Sequence, residues 1–245
     1  MLFLTIILVA LTPALSFIGV DLDGGKGQTR LSAAGRVLDR LALPTLLKGT
    51  TLEGKSLQCI YKASKHGYNF EQFHARVDCG LPSLVVAQIK GSKTLIGGFN
   101  PFGYSSVDDY RSSTRAFLFR QEAAGKEIEF SRPLSADGAI YDFGTYGPIF
   151  GVEALVIPLN PSKLKPTCRA TSVLGNDYSI LKGSEGGTGI SARRDGKTAT
   201  LFGGKNTVDL SELEVYVNAD EDVEIRGDVG QGIFGGMFSW GGYGR

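Results

Sequence analysis

The sequence has 245 residues, and its 26 Lys and Arg residues nearly balance its 25 Asp and Glu residues, giving a formal net charge of +1. This balance provides no electrostatic reason to expect a nucleic-acid partner. Hydrophobic residues make up 42% and charged residues 21%, a globular mixture that excludes wholesale disorder. Glycine is over-represented, because its 34 residues are about twice the usual share. Such a composition favours turns and interrupted strands over a helical bundle.

Residues 1–16 have the pattern of a secretory signal peptide. They contain no charged side chain, and the apolar run 2–11 is about half as long as a membrane-spanning helix requires. Pro13 ends the run, and Ala14 and Ser16 place small residues before a cleavage site at Phe17. We therefore expect 1–16 to direct the protein to the secretory pathway or the extracellular space. A buried N-terminal helix or strand is the alternative.

Residues 17–42 begin as a glycine-containing linker and continue as a short apolar segment. From Ser32 onward the leucine and valine spacing predicts a short amphipathic helix that Pro44 interrupts. The Arg and Ser content of this segment also allows a plastid transit region reached through a bipartite signal. Its acidic residues Asp21, Asp23 and Asp39 argue against that alternative, because transit peptides contain few acids.

Residues 43–218 consist of short apolar stretches separated by turns that contain Gly or Pro, which is typical of β-strands. The predicted strands are Leu57–Lys62, 83–90, 94–99, 115–121, 154–158, 198–202 and 212–217. In the last strand, apolar residues alternate with Glu212, Glu214 and Tyr216, so we predict that it is half-buried.

One clear helix interrupts the predicted strands. Asn69 has the character of an N-cap with Gln72 three residues later, and Phe70, Phe73 and Val77 share one helical face. No strict alternation of strands and helices is visible, so the pattern predicts a single α+β domain with mostly antiparallel strands.

The cysteines and histidines suggest metal or thiol chemistry. Cys59, His66, His74 and Cys79 provide four metal-ligand types within 21 residues, but their spacing is wider than that of structural zinc sites. Cys168 makes the cysteine count odd, so an oxidising compartment would leave at least one free thiol. A bond between Cys59 and Cys79 and a redox-sensing thiol are both open.

Two glycine motifs resemble nucleotide-binding sequences. Residues 49–56 match the phosphate loop G-x-x-x-x-G-K-S, but a predicted strand follows them where the motif requires a helix. Residues 230–235 match the dinucleotide motif G-x-G-x-x-G, yet too few residues follow for a βαβ unit of about thirty residues. We therefore predict an exposed loop for the first and an accident of composition for the second.

The rest of the sequence shows no catalytic motif. The hydrolase sequence G-x-S-x-G is missing, and neither histidine lies in a motif typical of a general base. The acidic run 220–222 is expected to be a solvated loop, with weak calcium binding as a second interpretation. Residues 219–245, rich in glycine and aromatic residues, are expected to form a tail.

An ordered set of short motifs between residues 43 and 218 resembles the TLDc domain. The motifs are 57–61, 63–64, 66–68, 73–74, 84–86, 96–99, Tyr110, 116–119, 147–151 and 213–216. The sequence departs from the family pattern at Leu57, where an aromatic residue is frequent, at Ser113 in place of an acid, and at Tyr216 in place of tryptophan.

The resemblance implies an antiparallel two-sheet β-sandwich flanked by a few helices. It also implies a link to protection from oxidative damage, and some members bind the vacuolar proton pump. No catalytic centre or cofactor comes with it. The positions that it marks as fold residues are Tyr61, Gly67, Phe73, Gly97, Gly98, Phe99, Phe117, Phe119, Gly147, Gly151 and Glu214.

We therefore expect a noncatalytic protein-interaction domain linked to oxidative-stress protection. Its protein partner is unknown, and we expect no cofactor, no nucleic acid and no membrane span in the mature chain. One alternative is a redox-active thiol or metal-binding protein that uses Cys79, His66 and His74. A second alternative is a regulator of the vacuolar proton pump, which requires a cytosolic protein because that contact is made from the cytosol.

Overall fold

A computed structural model of the protein describes residues 36–159, 168–181 and 199–223. The predicted signal peptide, most of the 17–42 segment, the 230–235 motif and most of the tail lie outside these residues. Within these ranges, the helical segments are a 3₁₀-helix at Val37–Arg40 and three α-helices: α1 Leu43–Leu46, α2 Ala63–His66 and α3 Phe70–Val77. Within the described ranges, no helix is both long and apolar enough to cross a membrane.

Eleven strands are present in the described part of the chain. They are β1 Leu57–Lys62, β2 Ser83–Ile89, β3 Leu95–Asn100, β4 Asp109–Arg111, β5 Phe117–Gln121, β6 Ile128–Ser131, β7 Ile140–Asp142, β8 Ile149–Phe150, β9 Leu155–Val156, β10 Arg169–Thr171 and β11 Thr207–Asn218. Every pairing between them is antiparallel.

The strands form one hydrogen-bonded path in the order β4-β7-β8-β9-β10-β11-β2-β3-β5-β6, and β1 also pairs with β11. Strand β11 makes this path continuous, because its first residues pair with β10 and its remainder pairs with β1 and β2. The predicted class, a single α+β domain with mostly antiparallel strands and few helices, is confirmed. Two separate sheets are not confirmed, since β11 belongs to both halves of the path.

Two apolar clusters lie on opposite faces of β2, β3 and β5. The first contains Val85, Ile96 and Leu118 together with residues of β7, β8 and β9. The second contains the alternate residues of the same three strands and is covered by the N-terminal leucines and valine: Val37, Leu38, Leu41, Leu46, Leu47 and Leu52. Both faces of these strands are therefore buried, as expected for continuous apolar runs.

Gly97 and Gly98 of β3 allow close packing between neighbouring parts of the fold. A Cβ atom on Gly97 would lie 1.9 Å from the carbonyl oxygen of Val85, and one on Gly98 would lie 2.7 Å from the ring of Phe150. The register of β3 with β2 and β5 is unbroken. Glycine is therefore required at these positions because a neighbouring carbonyl group and an aromatic ring pack directly against the backbone of β3, and not because the strand contains a β-bulge.

The prediction of helix α3 is confirmed, including its cap. The backbone N–H of Gln72 donates to Asn69 Oδ1 at 2.7 Å, which satisfies one of the free donors of the first turn. The predicted effect of Pro44 is wrong, because this proline lies in the first turn of α1 and does not interrupt a longer helix. A proline fits there because the N–H groups of the first helical turn have no acceptor within the helix, so the missing N–H of proline costs no hydrogen bond.

Two strand predictions are wrong in part. In place of the predicted strand 198–202, residues 199–200 have no regular structure and 201–202 form a turn, which continues into Gly203 and Gly204 with φ angles of 71° and 96° that favour glycine. The apolar character that suggested a strand has another origin, because Leu201 lies in a turn and its side chain is buried in the core. Strand β11 is buried on both faces, not one, since Glu214 and Tyr216 lie beneath the N-terminal segment.

Candidate functional site

The four metal-ligand candidates of the sequence occupy different environments. Cys59 packs against the second apolar cluster, and Cys79 against the first. The ring of His66 accepts a hydrogen bond from the Lys62 backbone at 3.0 Å. In the described parts of the chain, the metal-capable side chains whose ligand atoms converge within 4.8 Å are His74, Asp78 and Asp142. Of the four candidates, only His74 belongs to this group.

All three cysteines are free thiols, and their surroundings make them poor nucleophiles. Burial raises the pKa of Cys59 and of Cys168 to about 12. Burial also raises the pKa of Cys79, which is half-buried. Because the thiolate is the reactive form, none of these sites has the lowered pKa that a redox-active cysteine requires.

His74 is the centre of a buried polar cluster, which we call the His74 cluster and which comprises His74, Asp78, Ser106 and Asp142. The Nδ1 atom of His74 lies 2.8 Å from Asp78 Oδ1, and its Nε2 atom lies 2.7 Å from the carbonyl oxygen of Tyr146. The hydroxyl of Ser106 donates to Asp78 Oδ2 at 2.6 Å and lies 3.0 Å from His74 Nδ1. The cluster thus joins helix α3 to two loops.

Both ring nitrogens of His74 face acceptors, so the ring is best satisfied as a doubly protonated imidazolium. Burial alone would lower the pKa of His74, but the hydrogen bond and charge of Asp78, with the Tyr146 carbonyl, raise it. A doubly protonated ring cannot accept a proton from Ser106. The resemblance to a Ser-His-Asp triad is therefore one of composition and not of chemistry.

Asp142, at the end of β7, fixes the loop 101–108. Its two carboxylate oxygens accept the backbone N–H groups of Ser105 and Ser106 at 2.9 and 3.2 Å. Burial raises the pKa of Asp142, although these two hydrogen bonds act in the opposite direction. Arg111 of β4 lies 3.6 Å from the same carboxylate and provides the compensating positive charge.

The loop above this cluster has an unusual backbone. Ser106 and Asp108 have φ angles of 52° and 55°, values that residues other than glycine seldom adopt. Asp108 Oδ1 accepts the N–H of Gly144 at 2.9 Å, which ties the loop to the next one. Val107, between the two strained residues, is 49% exposed. Strain of this kind persists where surrounding contacts impose it, and it often marks functional surfaces.

Three exposed side chains and one half-buried ring belong to this loop and its neighbours and form what we call the aromatic surface: Val107, Tyr110 and Tyr146, with the half-buried Phe143. Tyr110 is 53% exposed and Tyr146 is 45% exposed. The ring centroid of Tyr110 lies 3.7 Å from that of Tyr141 and 6.3 Å from that of Phe143. The Tyr146 carbonyl binds His74, so the buried cluster directly supports this surface.

A second buried network, the Glu214 cluster, comprises Lys62, Ser64, Glu212, Glu214 and Tyr216. Glu214 accepts from Lys62 Nζ at 2.5 Å, from the Tyr216 hydroxyl at 2.5 Å and from the Val37 backbone at 3.1 Å. The Glu212 carboxylate accepts hydrogen bonds from the backbone N–H and the hydroxyl of Ser64. Burial alone would lower the pKa of Lys62, but the two glutamates raise it. This network fixes the N-terminal segment to the sheet.

The phosphate-loop match at 49–56 forms a turn before β1. The backbone N–H of Gly49 donates to Glu53 Oε2 at 2.7 Å, and Leu52 is buried in the second apolar cluster. The backbone N–H of Gly49, which a phosphate loop would use to bind phosphate, is thus already bound to the Glu53 carboxylate. A strand follows the motif, as predicted, so the geometry of a phosphate loop is not formed.

Sequence reasoning missed Asp78, Ser106 and Asp142. Asp78 had a usable signal, because it follows His74 by four residues and therefore lies on the same helical face. Ser106 and Asp142 had none, since each is far from His74 along the chain. The family-pattern side chains, in contrast, are largely core residues, and those fully buried are Tyr61, Phe73, Phe99, Phe117, Phe119 and Glu214.

A family model of the TLDc domain matches residues 40–218, which include all eleven strands. A search of the curated proteins found no match to this sequence.

Proposed function

The chain belongs to the TLDc domain family, and on this premise we propose that it is a noncatalytic domain that protects against oxidative damage through contacts with another protein. TLDc domains are generally noncatalytic protein-interaction modules associated with oxidative stress. The partner of this chain is a protein whose surface complements apolar and aromatic side chains.

The observation that carries the proposal is the contrast between the His74 cluster and the aromatic surface above it. The imidazole, hydroxyl and carboxylate groups of the cluster bond to one another or to the backbone, so they support structure. Val107, Tyr110 and Tyr146 are held in place by that support while remaining exposed. A rigid, partly aromatic surface loses little conformational entropy on binding.

The proposal is tested by peroxide survival of cells that express the full chain or its variants. Tyr110→Ser combined with Tyr146→Ser should abolish protection. The control is Leu134→Ser combined with Val152→Ser, which removes two side chains of similar exposure elsewhere on the surface. The control should protect as the unmodified chain does, with equal expression checked for each variant.

The redox-thiol alternative makes the opposite prediction for Cys79, the least buried of the thiols. Under our proposal, Cys79→Ala retains protection, and the purified protein does not accelerate the decay of hydrogen peroxide. Loss of protection in Cys79→Ala, or peroxide decay proportional to protein concentration, would establish the thiol chemistry and overturn the proposal.

We also propose that residues 1–16 direct the protein into the secretory pathway. The support is the uncharged apolar run and the small residues before Phe17. The test compares the location of the chain, tagged at its C-terminus, with that of the same chain lacking 1–16. Luminal or extracellular residence of the full chain supports the proposal, plastid residence supports the bipartite signal, and cytosolic residence makes the proton pump an accessible partner.

A further inference from the structure

Strand β4 is the end of the hydrogen-bonded path, so one of its edges is unpaired within the described residues. Its other edge pairs with β7, with Tyr110 opposite Tyr141. The backbone N–H of Tyr110 donates to the carboxylate of the preceding residue, Asp109, at 2.7 Å. This N–H is held by its neighbour's carboxylate in the single chain, and the unpaired edge of β4 is where the main chain of a second strand would bind.

The charges of β4 are unbalanced in the isolated chain. Asp109 lies directly opposite Asp142 across the β4-β7 pair, an arrangement that is unfavourable for like charges. Arg111 is partly buried: its Nη1 lies 3.6 Å from Asp142 and its guanidinium lies over the ring of Phe102, so a second chain reaches this cation through the 27% of the side chain that is exposed. Asp109 forms no ion pair within the parts of the chain that the structure describes. A cation beside Asp109 and an acceptor beside Arg111 would both be favourable.

A second copy of β4 supplies both groups. If two such strands pair antiparallel about a two-fold axis at Tyr110, Asp109 of each copy lies opposite Arg111 of the other. The Tyr110 side chains then meet on the other face of the strands. Since each Tyr110 already contacts Tyr141 in its own chain, the pair forms a row of four aromatic rings.

We propose that this protein self-associates through the outer edge of β4, with Tyr110 on the two-fold axis and reciprocal ion pairs between Asp109 and Arg111. Asp109 releases the Tyr110 N–H and turns towards Arg111 of the second copy. Strand β4 has only three residues, so the association is weak and depends on protein concentration. The inference does not rest on the proposed cellular function.

The experiment is a charge exchange measured by sedimentation equilibrium of purified full-length protein. The wild type should show a mass that increases with concentration from 26.2 kDa towards twice that value. Asp109→Lys places two Lys-Arg contacts at the axis, and Arg111→Glu places two Asp-Glu contacts there. Each variant alone should weaken association by about tenfold or more, because like charges meet.

An equimolar mixture of the two variants restores complementarity. The lysine introduced by Asp109→Lys in one chain meets the glutamate introduced by Arg111→Glu in the other, and the remaining pair is native. The mixture should therefore associate as the wild type does.

Asp220→Lys is the control, because it makes the same charge change at an exposed residue after β11. The thermal unfolding of each variant identifies any loss of folding. Asp109→Lys alone, which leaves the Arg111-Asp142 contact intact, carries the test if Arg111→Glu unfolds.

Three results would overturn the inference. The first is a wild type that stays monomeric at all concentrations. The second is a folded Asp109→Lys variant that associates as the wild type does, which would place the contact elsewhere, for example in the 219–245 tail. The third is a mixture of two folded variants that fails to associate, which would exclude the reciprocal ion pairs.

Discussion

The Glu214 cluster and the His74 cluster are two buried charged networks that fix a segment of chain in similar ways. In the first, carboxylates of β11 bind Lys62 and the backbone of the N-terminal segment. In the second, carboxylates of Asp78 and Asp142 bind His74 and the backbone of the 101–108 loop. Each network places its negative charges beside a cation and several N–H or O–H donors.

The two networks differ in what lies above them. The N-terminal segment covers the Glu214 cluster with leucines and buries Glu214 completely. The loop above the His74 cluster instead exposes Val107, and its neighbours expose Tyr110 and Tyr146. Buried charge is thus used in one region to complete the core and in the other to support a surface. Under our proposal, the second arrangement is the one that presents exposed apolar side chains to a partner.

The largest effect is expected for Glu214→Ala. This change removes the acceptor of the Tyr216 hydroxyl and of the Val37 N–H and one of the two carboxylates that bind Lys62, and removing a buried carboxylate with several partners costs about 3 to 5 kcal/mol of unfolding free energy. Urea unfolding measures the loss, with Glu127→Ala, at an exposed position, as the control. A loss below about 1 kcal/mol would show that the cluster is not a structural anchor.

Asp142→Ala should have the next largest effect. It removes the acceptor of two loop N–H groups, each of which costs about 1 to 3 kcal/mol when buried without a partner. Because the 101–108 loop is near the surface, water satisfies part of this loss, and we expect about 2 to 3 kcal/mol. Hydrogen exchange of the Ser105 and Ser106 amides should accelerate more than that of β2. Equal acceleration everywhere would contradict a local role for Asp142.

His74→Gln should lower stability by an amount that depends on pH. The pKa of His74 is raised in the folded protein, so its contribution is fully present below the ordinary histidine pKa of about 6.5 and is lost as the pH rises through the raised value. Below about pH 6 we expect a loss of about 1.5 to 2 kcal/mol, in the lower part of the range for a hydrogen bond to a charged group.

The measurement is the difference in unfolding free energy between wild type and His74→Gln across this pH range. A difference that instead grows as the pH rises through about 6.5 would show that folding lowers the pKa of His74 and keeps the ring neutral, which would reopen its role as a proton acceptor for Ser106.

Local sequence patterns predicted those parts of the fold that depend on neighbouring residues. The bounds of β1 and the cap of α3 follow from apolar runs and an Asn-Gln spacing within a few residues. The short strands β4, β7 and β8 were not predicted, because two or three residues carry too little periodicity. The TLDc motifs identified the domain, since their order extends over the whole of it.

The candidate site could not be predicted for a different reason. His74 and Asp142 are far apart in the sequence and meet only because the strand order brings β7 beside the loop after β3. The burial of Glu214 was missed similarly, because alternation within β11 does not reveal that a distant N-terminal segment covers its polar face. Both errors concern long-range contacts, which a local pattern does not encode.

The smallest effect is expected for Val107→Ser, and it separates the two regions most directly when compared with Val37→Ser. The chemical change is the same, but Val107 is 49% exposed whereas Val37 is 4% exposed and lies over the Glu214 cluster. Val37→Ser should cost about 1.5 to 3 kcal/mol of unfolding free energy, and Val107→Ser should stay within about 0.5 kcal/mol. A matching loss in both variants would mean that Val107 packs as a core residue and that the loop bearing it is not a binding surface.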